Sequence, residues 1–125
     1  MARATALAVF DEAALVKRLM GDRALARFIV RGFLDDLPKQ MAALRSHLSA
    51  GDAAAVQRQA HRIRGAASAV GGNTLRQAAL EMEEAARAGD TVSMAARLAE
   101  VELQAQAAQK AVETMNGGEP VQPER

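Results

Sequence analysis

The last third of the chain repeats one spacing. Met94, Leu98, Val101, Ala105, Ala108, Val112 and Met115 follow one another at intervals of four and three. An α-helix turns by about 100° per residue, so this spacing gathers all of them along one side, as in the seam of a helical bundle. The same pattern occurs at Leu75, Ala79, Met82 and Ala86, and again at Val56, Ala60, Ile63, Ala67 and Val70. No stretch alternates apolar and polar residues as a half-buried strand does. Aromatic residues make up only 2% of the chain, so the core must be built from Ala, Leu, Val and Met, which suits closely packed helices. The spacing predicts an all-α fold.

The helix ends are marked as clearly. Gly21-Asp22, Gly51-Asp52 and Gly89-Asp90 are three repeats of one dipeptide. A glycine just past a helix end can take the left-handed conformation, and an aspartate can cap the next helix by accepting from its free N–H groups. Gly71-Gly72-Asn73 forms a fourth break with Asn73 as the expected cap, and Asp11 is the expected cap of a short first helix. The predicted segments are 11–20, 22–50, 52–70, 73–88 and 90–114. In the second, Leu25, Phe28, Ile29, Met41, Leu44 and Leu48 are assigned to the apolar face, and Pro38 predicts a kink or break near Leu37. Four long helices with short joints give an antiparallel up-down four-helix bundle, with the short N-terminal helix covering one end. Residues 1–8 read as an N-terminal extension, 9–115 as one domain and 116–125 as a disordered tail.

His61 stands out within this scheme. It lies about 140° from the centre of the stripe formed by Val56, Ala60, Ile63, Ala67 and Val70, so its imidazole is expected to face water. Gly65 lies four residues on, nearly above it, and a glycine inside a helix costs about 1 kcal/mol relative to alanine. Here it clears space around the ring. Ala54, Gly65 and Ser68 share the His61 face and are all small, while Gln57, Arg58 and Arg64 flank it. A free imidazole titrates near pH 6.5, so at neutral pH it offers an unprotonated, nucleophilic nitrogen. Arginines at its edge suit the oxygens of a phosphoryl group. The chemistry that fits is transient phosphorylation of His61. Taken singly, an exposed histidine, a helix glycine or a surface arginine is most often a solvated or packing feature; their coincidence on one face is what points to a site.

Other chemistries lack their parts. His47 is the only other histidine, no carboxylate stands three or four residues from His61, and there is no cysteine, so neither a metal site nor a nucleophilic triad is expected. No glycine loop cradles a nucleotide phosphate, so the chain is expected to be a carrier rather than a kinase or other enzyme, with no cofactor of its own. A net charge of +1 argues against nucleic acid as a partner. No apolar run approaches the roughly 20 residues that span a bilayer, and Asp11 and Glu12 interrupt the N-terminal apolar stretch. A cytoplasmic monomer is the expectation.

The run H61-R62-I63-R64-G65-A66-A67-S68-A69-V70-G71-G72-N73-T74-L75 resembles the signature of histidine-containing phosphotransfer (HPt) domains. Val9-Phe10-Asp11, Phe33-Leu34-Asp35-Asp36-Leu37-Pro38, Gly51-Asp52, Met82-Glu83 and Ala86-Arg87-Ala88-Gly89-Asp90 are similar to the family pattern as well, so the resemblance spans residues 9–113. It implies that His61 accepts a phosphoryl group from a sensor histidine kinase or a receiver-domain aspartate and passes it to a response-regulator receiver domain. His61 matches the phosphoacceptor, Arg64 a position usually held by lysine, and Gly65 the glycine that lets the partner approach. Ala66 and Ala67 stand where serines are common, which removes two hydroxyl donors. Glu83 and Arg87 on the next helix are implied as groups that reach the site, and any Mg²⁺ is expected on the receiver. Docking is expected to use the exposed face of the motif helix with Leu15 and Leu19 of the first helix. The rival readings are a helical module that docks receivers or kinases without transferring phosphate, and a domain detached from a chemotaxis-type kinase.

Overall fold

The computed structural model describes residues 9–117, the last four by their backbone only. Among the described residues there are five helices and no strand: α1 (Glu12–Arg18), α2 (Arg23–Ser49), α3 (Ala53–Ala69), α4 (Asn73–Arg87) and α5 (Thr91–Gly117). The long helices pack in a ring, α2 on α3, α3 on α4, α4 on α5 and α5 back on α2. Short joints between consecutive neighbours make this an antiparallel up-down bundle. The N-terminal extension at 1–8 and residues 118–125 of the expected tail lie outside the described residues; α5 itself runs two residues into the segment read as tail.

The aspartate caps form as predicted. Ala14 N donates to Asp11 Oδ1 at 3.0 Å, Leu25 N to Asp22 Oδ1 at 2.9 Å, Ala55 N to Asp52 Oδ1 at 3.0 Å and Ser93 N to Asp90 Oδ1 at 3.1 Å. Gly51 closes α2 with φ +71°, in the left-handed region that a side chain would strain. The fourth break differs from expectation. The left-handed step falls at Gly71 (φ +73°), so Gly72 becomes the flanking residue of α4, and Arg76 N donates to the Gly72 carbonyl at 2.9 Å. Asn73 is therefore the first helical residue and provides no side-chain cap.

The inward stripes of α3, α4 and α5 are those of the sequence pattern. Val56, Ala60, Ile63, Ala67, Leu75, Ala79, Met82, Met94 and Val101 are each at most 3% exposed. Ala105 and Ala108 are buried as well, and Leu98 and Val112 pack partly buried beside them; the Met115 side chain lies outside the described residues. In α2 the pattern is corrected. Leu25 is 40% and Phe28 74% exposed, and the buried stripe is Ala26, Val30, Leu37, Met41 and Leu44. These residues, joined by the partly buried Phe33 and Leu34, keep a continuous four-three register along the helix. Leu25 and Phe28 fall outside that register. Nor does Pro38 break α2, which runs from Arg23 to Ser49. Proline removes one backbone donor, but buried Leu37, Met41 and Leu44 hold the helix to the core around it.

α1 closes one end of the bundle. Leu15 and Val16 pack with Ala26, Val30 and Val70, and the Phe10 ring meets Phe33 edge to face at 6.3 Å between centroids. Leu15 is thus buried, which removes it from the expected docking surface, and Leu19 packs partly buried beside it. Among the described residues no helix is long and apolar enough to cross a membrane.

Candidate functional site

α3 carries the site because its two faces have different jobs. Ala60 and Ile63 point into the core, each 1% exposed, and this rotation sends the intervening His61 outward, with 63% of its side chain exposed. A Cβ built on Gly65 would meet nothing within 4 Å, so the glycine serves no close helix packing. What it leaves is open space one turn above the imidazole.

The ring is anchored from its inner edge. Glu83 of α4 places Oε2 at 3.0 Å from His61 Nδ1 and accepts a hydrogen bond on Oε1 from Arg64 Nε at 2.8 Å. Arg64 Nη2 stands 2.9 Å from the same Nδ1, and Arg87 Nη2 lies 3.5 Å from Glu83 Oε2. Glu83 is 4% exposed and sits among the apolar residues of α4, next to Met82 and one turn from Ala79 and Ala86. Burial pushes its carboxyl pKa up, but the hydrogen bonds and charges of Arg64 and His61 outweigh burial, and the net position is below the ordinary 4.5. It is a buried carboxylate held ionised by cationic neighbours, with one oxygen turned to the histidine.

Of the residues assigned from sequence, the structure brings His61 and Arg64 into contact, beside the gap at Gly65. Ala54 and Ser68 are exposed on the same face, and Gln57 is half-buried; none of them bonds to the ring. Arg58 is exposed and, among the described residues, makes no hydrogen bond or ion pair with the cluster. The reason is angular: Arg64 lies on the α4 flank of His61, where Glu83 draws it, and Arg58 on the opposite flank, toward water. Glu83 and Arg87 do reach the site, as the resemblance implied. Helical spacing around His61 could not find Glu83, because it belongs to another helix. The available signal was a carboxylate inside the apolar arc of α4. Among the described residues no three metal-ligating side chains lie together.

The ring has one inner nitrogen engaged, and no contact with a described residue engages Nε2. Such an arrangement can present a lone pair to an electrophile arriving from solvent while a fixed carboxylate steadies the ring. Comparison with known proteins places the fold. The model of the Hpt domain family matches residues 29–111. The fold is similar to the crystal structure of the HPt domain from a sensor hybrid histidine kinase of Shewanella, with a TM-score of 0.75 and 18% identity, over 90% of this chain and 97% of that one. No curated protein matches the chain.

Proposed function

The chain belongs to the Hpt domain family, and from that premise we propose that it is a phosphorelay intermediate in which His61 accepts a phosphoryl group from a sensor kinase or a receiver aspartate and passes it to a receiver aspartate. Hpt domains serve phosphotransfer in two-component systems. The observation that carries the assignment to His61 is a ring 63% exposed whose engaged nitrogen is Nδ1, 3.0 Å from a buried carboxylate.

The step balances without a base. The Nε2 lone pair attacks the phosphorus of an acyl phosphate, the N–P bond forms, and the P–O bond to the aspartate breaks. The leaving carboxylate takes the electron pair. The ring keeps its Nδ1 proton, becomes cationic, and is stabilised by the Glu83 carboxylate beneath it. Arg64 supplies guanidinium hydrogen bonds to the phosphoryl oxygens. Transfer onward is the same step reversed on a second receiver, so the carrier needs no nucleotide site of its own.

Apolar residues suited to docking are exposed around the start of α2. Gln59 Nε2 donates to Gln40 Oε1, which marks the flank of α2 that faces α3. Leu25, toward the N-terminal end of α2, falls within about 60° of that flank, and Met20 and Phe28 are exposed apolar residues on either side of it in sequence. These residues form the apolar part of the receiver-docking surface, in place of buried Leu15. The test is transfer of radiolabel from a phosphorylated receiver or kinase. Label should appear on the wild type and be lost in His61→Gln with helicity unchanged; label retained by that variant refutes the assignment.

A further inference from the structure

His61 Nδ1 has two neighbours that it cannot satisfy together. Arg64 Nη2 at 2.9 Å is only a donor, and Glu83 Oε2 at 3.0 Å, as an ionised carboxylate, is only an acceptor. A ring nitrogen carries either a lone pair or a proton. With a lone pair, Nδ1 accepts from Arg64 and the proton of the neutral ring sits on Nε2. With a proton, Nδ1 donates to Glu83 and the lone pair sits on Nε2. Only the second form is nucleophilic at the exposed nitrogen. Both forms have support, since Glu83 Oε2 has a second cation in Arg87, 3.5 Å away, when the ring offers it no proton.

We propose that Arg64 gates the nucleophile by choosing the tautomer of His61, an inference that rests on the phosphorelay reading above. In the resting chain the guanidinium holds Nδ1 as an acceptor and keeps Nε2 protonated. An incoming phosphoryl group offers the guanidinium several anionic oxygens in place of one neutral nitrogen, and draws Nη2 off the ring. Nδ1 then takes a proton from water and donates it toward Glu83, while Nε2 releases one to water. The proton count is unchanged, and the lone pair now faces the phosphorus. The ligand thus activates its own acceptor, and in its absence the exposed histidine is kept unreactive. Arg64 acts here as a positioning residue.

The test reads the tautomer directly. Imidazole ¹⁵N shifts of the full chain, at a pH where the same spectra show the ring neutral, report which nitrogen carries the proton. In the wild type most of the neutral ring should carry it on Nε2. Arg64→Ala should move the ratio about 10- to 150-fold toward Nδ1–H, the size expected for losing one charge-assisted hydrogen bond. Inorganic phosphate should move the wild type in the same direction and leave Arg64→Ala unmoved. A wild-type ring mainly in the Nδ1–H form, or a ratio indifferent to Arg64→Ala, overturns the gate. The readout needs no transfer: a chain that takes no label yet shows the Arg64-dependent ratio defeats the phosphorelay reading and leaves the gate, and the reverse result defeats the gate alone.

Discussion

Glu83 Oε2 lies 3.0 Å from His61 Nδ1 across 22 residues of sequence and, among the described residues, is the one bond that ties the imidazole to α4. Losing a charge-assisted hydrogen bond costs about 1.5–3 kcal/mol. If that bond strengthens as the ring becomes cationic, Glu83→Ala should slow phosphoryl transfer about 10- to 150-fold. Rapid-quench transfer assays at matched receiver concentration measure this, with circular dichroism to confirm the fold.

The same carboxylate makes stability depend on pH. Its folded-state pKa lies below the ordinary 4.5. A depressed carboxylate contributes stability that is present above its unfolded pKa and lost as pH falls through the folded value. Wild type should therefore exceed Glu83→Gln in Tm near pH 7, and the gap should narrow as pH drops below about 4.5. Thermal melts of both chains across that range check the sign.

Gly65 separates stability from function. A Cβ there meets nothing within 4 Å, so Gly65→Ala should stabilise the protein by about 0.5–1 kcal/mol through helix propensity alone. Gly65→Leu should fold equally well. Its side chain leans back over the preceding turn, where His61 sits, and should block transfer. Urea unfolding paired with the transfer assay tests both halves.

Gly71 behaves in the opposite way. A Cβ would meet the Asp11 carbonyl oxygen at 3.1 Å, at a φ of +73°, in the joint where Asp11 N donates to the Gly71 carbonyl at 2.8 Å. Gly71→Ala should cost about 1–3 kcal/mol from backbone strain. It should also speed amide hydrogen exchange in α1 while leaving α4 and α5 protected.

Leu44 and Phe28 lie on the same helix and should respond differently. Leu44 is fully buried, so Leu44→Ala should cost about 2–5 kcal/mol. Phe28 is 74% exposed, so Phe28→Ser should change stability by no more than about 0.5 kcal/mol yet weaken receiver binding. Denaturant titrations and receiver titration calorimetry distinguish the two.

Much of the architecture was legible in the chain. The four-three spacing placed Val56, Ile63, Met82 and Val101 in the core, and the Gly-Asp pairs located three of the joints. The exposure of His61 followed from the same count. α2 was harder to read, because apolar residues lie on more than one of its flanks. Leu25 and Phe28 looked as suitable for burial as Ala26 and Val30, and it is packing beneath α1 that selects the latter pair. Pro38 does not end α2 for a related reason, since tertiary packing outweighs one lost backbone bond.

The period of apolar residues is a local property, so the chain alone shows that this protein is helical, where its Gly-Asp joints fall, and which side of α3 carries His61. The relative rotation and register of two helices are not local. It is the packing of α3 on α4 that sets the Glu83 carboxylate against the ring beside Arg64 and turns Arg64 inward while Arg58 stays in water, and the packing of α1 on α2 that buries Leu15 while Phe28 remains exposed. Each of those outcomes depends on which faces meet when the helices pack, and the pattern of no single helix contains that information.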